Sequence, residues 1–352
     1  MRYKGAMGRR GWQHALFVLA VMVASACTET TDAEYRADVD VAVHGSIGDS
    51  IAELVQATRD LQAASPARTW RPETTDAAAI TAMRAAWKRT RFAYEQIEGA
   101  IKAVFPALDA TMDARYEESL AALGGGGDRN PFDGRGVIGM HAIERILFAP
   151  VTRSEVLTYE CSLPGYKPAA YPSTDDEAIA FKTELVQRLI DDGDSLAKQW
   201  RKAEIDLNAA YRGQVSMMLE QQDKVNLAAI GEEESRYANI TLADLRNNLD
   251  GTQNIYGLFR GWILSKAAGG SSDSKIQARF DELATIYLAG DALPDIPPEW
   301  AVDHPTPENL ATPFGVMWQT IHESVDPDSE SSVVSELNQI ASLLDLTASP
   351  EP

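Results

Sequence analysis

The sequence predicts an all-α protein, one helical bundle or two packed together. Three observations carry that prediction. Apolar residues recur at steps of three and four over long stretches, no convincing run alternates with the period of two that a half-buried strand needs, and prolines and glycines fall between the periodic stretches rather than inside them. With 45% hydrophobic residues among 352, the chain can build a sizeable core and is neither collagen-like nor wholly disordered.

The first 26 residues read as an export signal. Arg2, Lys4, Arg9 and Arg10 make a positive start, Ala15 to Ala24 make an apolar run too short to span a bilayer, and Ala24-Ser25-Ala26 precede Cys27. Small residues followed by Cys are similar to a bacterial lipobox, so Cys27 is expected to be lipidated and to become the mature N-terminus. Residues 27–45 are polar and acidic, and read as a tether between lipid and domain. Thr28 is not Asp, which by analogy with enteric sorting favours the outer membrane. The expected location is the bacterial cell envelope, facing the periplasm or the surface.

From Ser46, the residues Ile47, Ile51, Leu54, Val55, Thr58 and Leu61 share one helix face, and Pro66 ends that helix. A second helix is expected from about Thr74 to Phe105, broken by Pro106, and a third from about Ala107 to Leu123. Gly124 to Gly127 is not followed by Lys-Ser or Lys-Thr and no strand precedes it, so it reads as a connection and not a phosphate loop. A helix starting near Gly136 carries Val137 to Phe148. Residues 151–173, with Pro164, Pro168 and Pro172, read as an irregular linker. Thr174 starts a helix with three acids in its first turn, favourable at the positive end of the helix dipole. Further helices are expected over about 174–204, 206–230, 232–269, 274–290, 306–326 and 329–346. The division is therefore an N-terminal bundle over 46–173 and a C-terminal bundle over 174–352.

Charge and cysteine content exclude several functions. The net charge is −20, and removal of the signal leaves 28 basic against 52 acidic residues, so a nucleic-acid partner is not expected. Two cysteines make neither a disulfide framework nor a cysteine-rich zinc site, and Cys161 is expected to be a small buried hydrophobe.

The chemistry concentrates in His141 and Glu144, three residues apart in Gly139-Met140-His141-Ala142-Ile143-Glu144. On a helix they share a face and can reach one metal ion, and Gly139 allows a neighbouring helix to approach. Glu95 and Glu98 make a second pair with helical spacing, and Asp109 and Asp113 a third, although Asp109 also suits a helix cap after Pro106. Arg91, Arg115 and Arg145 offer a metal-free alternative, in which guanidinium groups neutralise these carboxylates in a salt-bridge network.

Gly-Met-His-Ala-Ile-Glu followed by an apolar run resembles the GxHxxE signature of the imelysin family, known also as M75 peptidase-like. Tyr94 to Glu98 and Leu108 to Arg115 resemble upstream blocks of that family, closest to its iron-uptake branch, and Glu234 to Leu249 is similar to its C-terminal block. The similarity covers roughly residues 47–345, with the four blocks in the family's order. The resemblance implies two related helical bundles, an extracytoplasmic location and a metal site. Carried over by motif, the ligands would be His141, Glu144, Glu95, Glu98 and Asp113, with Asp109 as an additional candidate. Gly139, Tyr237, Thr241, Asp244 and Asn248 would line or support the cleft.

The expected function is metal binding in iron or other metal acquisition, with membrane transport proteins as candidate partners. The cargo would be an ion or a metal-laden ligand. The mainly oxygen donor set favours iron, manganese or calcium, and the imidazole keeps zinc and copper open. The alternative is a metallopeptidase using the same residues. Neither HExxH nor HxxEH is present, since Asp326 stands where the second His of the His322-Glu323 run would be, and Arg145 follows Glu144. A ferritin-like di-iron site fails because there is one His-x-x-Glu, in reversed order, and no second copy.

Overall fold

The computed structural model describes residues 30–347. The expected signal segment and Cys27 lie outside the described residues. Those from Asp32 onward make one unit, whose regular secondary structure is all helix, without a strand among the described residues, as the apolar periodicity predicts. No helix among them is long and apolar enough to cross a membrane.

Helix α1 (Asp32–Ala64) buries the predicted stripe Ile47, Ile51, Leu54, Val55, Thr58 and Leu61, and extends it upstream through Val39 and Val43. It starts fourteen residues before Ser46, so residues 32–45 are helix and not tether. Polar contacts explain this start. Asp32 accepts hydrogen bonds from Trp262 Nε1 and Lys266 Nζ, and Arg36 donates to the carbonyls of Leu344 and Asp345. His44, in the same stretch, stacks on Trp200. A composition-based reading misses helix that is docked by charge.

The expected helix over 74–105 is two: α2 (Ala77–Glu95) and α3 (Glu98–Val104). The break at Gln96-Ile97 is held from outside, because Asn248 Nδ2 donates to the Glu95 carbonyl that the turn releases. The Gln96 carbonyl also lies so close to Gly251 that a Cβ there would sit 2.3 Å from it. After α4 (Pro106–Met112) and α5 (Tyr116–Ala122) comes α6 (Gly139–Leu147), every residue of which is buried. The linker over 151–173 contains a helix, α7 (Ser154–Cys161), which turns Val156 and Glu160 inward and leaves Cys161 at its exposed end. Cys161 is thus not the buried hydrophobe expected.

Helix α8 (Asp175–Ala180) begins with a capping box between Thr174 and Glu177 and runs through one π turn into α9 (Val186–Trp200). Then follow α10 (Leu207–Ala228), α11 (Thr241–Ser265) and α12 (Gly269–Tyr287), so the Gly/Ser run at 269–274 opens a helix rather than separating two. The chain ends its described part with α13 (Pro307–Leu310), α14 (Pro313–Val325) and α15 (Val333–Leu344). Helix α1 packs on α2, α9 and α11, α2 on α6 and α11, and α3 on α10, so contacts cross residue 173 in several places.

Two close approaches position the later site. Where α3 meets α10, Gly99 and Gly213 face each other, and a Cβ on Gly213 would lie 2.5 Å from the Gly99 carbonyl oxygen. That backbone contact sets Glu98 beside Lys224. At the start of α6, Gly139 has φ +83° and its open side faces the carbonyls of Thr111 and Met112, each 2.7 Å from a built Cβ. The approach allowed by Gly139 is therefore to the end of α4, one residue before Asp113. Gly139→Ala should cost about 1–3 kcal/mol, from strain at positive φ and overpacking. An unchanged urea midpoint would contradict this packing.

Candidate metal centre

The buried helix α6 supplies His141, 2% exposed. Its Nδ1 lies 2.9 Å from Glu144 Oε2, one helical turn on. The other oxygen, Glu144 Oε1, accepts from the backbone N–H groups of Tyr237 and Ala238 at 3.0 and 2.9 Å. One carboxylate thus orients the imidazole and anchors the loop between α10 and α11. Both Glu144 oxygens are engaged in this way, which makes it a support for His141 and not an open ligand.

That loop carries Glu234. With Asp113, just past the end of α4, it completes a group in which one donor atom each from Asp113, His141 and Glu234 all lie within 4.8 Å of one another. His141 Nε2 is 3.3 Å from Asp113 Oδ1 and 3.5 Å from Glu234 Oε1, without hydrogen-bond alignment to either. A cation held by bonds of ~2.1 Å in tetrahedral array spaces its ligand atoms by about 3.4 Å. The two spacings around Nε2 match this.

Around these three residues the ionic groups are unequal in number. Six carboxylates, from Glu95, Glu98, Asp113, Glu144, Glu234 and Asp244, gather about three permanent cations, Arg91, Arg115 and Lys224, and His141. Elsewhere buried acids pair singly, as Glu160 does with Arg145, Asp273 with Arg260 and Glu336 with Lys275. Of the arginines expected as a metal-free alternative, Arg91 and Arg115 stand in the cluster, whereas Arg145 serves Glu160.

Arg91 is fully buried at its centre. It meets Asp113 Oδ1 through Nη1, reaches Glu234 Oε1 through Nη2 at 2.6 Å, and touches Glu95. Lys224 Nζ sits among Glu95 Oε2, Asn248 Oδ1 and Glu98 Oε2 at 2.8, 2.8 and 3.1 Å. The structure therefore brings His141, Glu144 and Asp113 together, as the motifs predict, but turns Glu95 and Glu98 toward Lys224. Asp109 stays apart from the three-residue group and accepts from the Tyr94 hydroxyl. Of the expected supporting residues, Tyr237 tethers the loop by its backbone and donates its hydroxyl to Glu160, and Thr241 donates to Glu233. Asn248 holds Lys224, Glu98 and the end of α2. Asp244 packs against Arg91, 3.8 Å from its Nε.

Glu234 and Lys224 escaped the sequence reading. Glu234 lies in a loop, where spacing says nothing, although it heads the C-terminal block quoted above. Lys224 follows Gln-Gln-Asp in helical text that reads as a solvated face.

Burial alone would raise the carboxyl of Asp113, but Arg91 and His141 hold it below its usual range. Burial is likewise outweighed at Glu234, where Lys224, Arg115 and Arg91 hold the carboxyl well below that range. Both are ionised at neutral pH. Burial disfavours the charged imidazole, yet the nearby carboxylates of Asp113, Glu144 and Glu234 keep His141 well above its ordinary value. Burial raises Glu95 well above the carboxylate range despite Arg91 and Lys224, and pushes Asp244 up to about 7.

The group opens onto a cavity of about 560 Å³, large enough for a small ligand. Nine acidic residues line it against three basic ones, Lys102, Arg115 and Lys224. Asp113 and Glu234 belong to its wall, with Glu98, Asp109, Glu220 and Asp223. Such a cavity attracts cations and repels anions.

A carboxyl whose folded value is raised binds its proton more tightly folded than unfolded. Its stabilising contribution is present below pH 3.8 and is lost as pH rises through about 7. Asp244→Asn should therefore gain stability relative to the wild-type chain between pH 5 and pH 8, as read by urea unfolding. A constant difference across that range would show that Asp244 does not titrate there.

No curated protein matches the chain significantly. The imelysin (peptidase M75) family profile matches residues 47–288, more than half of the sequence. That span contains α6 with its GxHxxE motif, Asp113 and Glu234, so the three grouped donors all fall inside the matched region. The chain belongs to the imelysin family.

Proposed function

We propose that this protein binds a metal ion through Asp113, His141 and Glu234 and serves metal acquisition at the bacterial cell envelope, with iron the favoured cargo. The observation that carries the reading is the donor group itself: an imidazole nitrogen without a hydrogen-bond partner, spaced from two ionised carboxylates as metal ligands are spaced. Glu144 supports it in the manner usual for ligating histidines, by binding the ring nitrogen opposite the metal. With the proton on Nδ1 donated to Glu144, Nε2 presents its lone pair to the ion. The excess of buried carboxylates supplies the driving force, because a cation relieves repulsion that protons otherwise relieve. Two oxygens and one nitrogen suit iron or manganese, and zinc and copper remain compatible with the imidazole.

A peptidase would need, beside the ion, a carboxylate free to act as general base. Glu144 is committed to His141 and two backbone amides, and Glu234 to Arg91 and Arg115. Neither residue is therefore free to act as that base, which supports the binding reading.

Added Mn²⁺ or Zn²⁺ should raise the melting temperature of the purified protein by mass action. His141→Ala should remove most of that rise, and affinity should weaken as pH falls, because the ion must displace the imidazole proton. Equal metal-dependent stabilisation of the wild-type protein and His141→Ala would overturn the assignment. Chelator-sensitive cleavage of an unfolded protein substrate would instead establish the peptidase reading.

The envelope location rests on the sequence of the first 27 residues. Cys27 is taken as a lipid anchor, favouring the outer membrane, through which the cargo would be presented to membrane transport proteins. Cys27→Ser should leave the protein in the soluble envelope fraction. Its recovery in membranes at the wild-type level would count against the anchor.

A further inference from the structure

We propose that Arg91 is a tethered competitor for the cation, and that Asp244 is the acceptor to which its guanidinium turns when the cation arrives. This rests on the metal-binding reading above and deepens it, by assigning the groups that set the affinity of the centre.

Arg91 engages the same two oxygens that face His141 Nε2. Its Nη1 is on Asp113 Oδ1 and its Nη2 is 2.6 Å from Glu234 Oε1. A guanidinium stays charged at every pH a protein experiences. A metal ion taking those oxygens must therefore share them with a permanent cation or displace it. Arg115 holds the other Glu234 oxygen at 2.7 Å, so Glu234 cannot escape the competition by turning its carboxylate over.

Displacement needs somewhere for the guanidinium to go, and Asp244, beside Arg91 Nε, provides it. Asp244 is wholly buried, and apart from the neighbouring Ser235 hydroxyl its carboxyl oxygens close no hydrogen bond. Arg91 Nε also lacks one and lies 3.8 Å from Asp244 Oδ1. Glu95 Oε1 is already ion-paired with Arg91 Nη2 and can keep that contact as the guanidinium turns. Buried polar groups usually find partners, and an acceptor without a closed bond facing an unpaired N–H leaves a place for the displaced guanidinium to bond. Closing the 3.8 Å gap to a hydrogen bond of ~2.8 Å gives Asp244 and Arg91 Nε a partner and draws the guanidinium off Asp113 Oδ1 and Glu234 Oε1, with its further rotation completing their release. Filling the metal centre and pairing Asp244 become one event. The exchange keeps the affinity moderate, which suits a protein that must release its cargo.

The experiment is a calorimetric titration with Mn²⁺ at pH 7.5 on the full chain and three variants. Arg91→Gln, which removes the competing charge, should bind Mn²⁺ at least tenfold more tightly than the wild-type chain. Asp244→Asn, which weakens the alternative acceptor while leaving Arg91 and the three donors in place, should bind severalfold more weakly. His141→Ala should lose binding. If Arg91→Gln does not fold, as judged by circular dichroism, Asp244→Asn alone decides: unchanged or tighter binding overturns the proposal. Folded Arg91→Gln with wild-type or weaker affinity overturns it too. In either case His141-dependent binding by the wild-type chain would leave the metal reading standing. If no folded variant nor the wild-type chain binds Mn²⁺, both the metal reading and this inference fall.

Discussion

The organisation of this protein turns on a buried surplus of negative charge. Six carboxylates converge on Arg91, Arg115, Lys224 and His141, and no rearrangement among those groups can pair them one to one. Ionised groups withdrawn from water without partners are costly. Burial, with the neighbouring carboxylates adding to it, raises Glu95 and Asp244 out of the ordinary carboxylate range, so protons meet part of the cost. A divalent cation between Asp113, His141 and Glu234 would meet it directly. Among the described residues the surplus is confined to this centre, whereas Glu160, Asp273 and Glu336 each have a single basic partner. Stability by itself does not call for such an arrangement.

The fold holds the surplus in place by tying distant segments to it. Glu144 links α6 to the loop that bears Glu234, because one oxygen holds His141 and the other takes two backbone N–H groups of that loop. Asn248, on α11, does the same for α2, α3 and α10 by contacting the Glu95 carbonyl, Glu98 and Lys224. The close backbone approaches at Gly99, Gly213 and Gly139 let these helices come near enough for such short polar links. A helix shifted by one turn, 5.4 Å, would break every one of them.

Much of this was legible in the sequence, for identifiable reasons. The helical class followed from apolar periodicity, and the stripe of α1 from Ile47 to Leu61 is buried residue for residue. His141 and Glu144 were recognisable because the motif reports a local spacing that α6 preserves, and Asp113 through the resemblance of its block rather than through helical spacing, since it lies just past α4. Features set by distant partners were not readable. Helix α1 begins at Asp32 because Trp262, Lys266 and the end of α15 receive it, and α2 stops at Glu95 because Asn248 caps it from α11. Glu95 and Glu98 keep their helical spacing on paper, yet Lys224, well over a hundred residues away in sequence, decides where they point. Glu234 belongs to a loop, and loops carry no periodicity from which to read a ligand.

The claim on which the account depends is that the surplus is resolved by a cation at one particular place. The most direct measurement is anomalous X-ray scattering from crystals of the protein soaked in Mn²⁺. The account predicts one strong peak within bonding distance of His141 Nε2 and of carboxylate oxygens of Asp113 and Glu234, with Glu144 still on the far nitrogen of the imidazole. A peak among Glu95, Glu98 and Asn248 with Lys224 displaced, or occupancy only at the outer acids of the cavity, would contradict it.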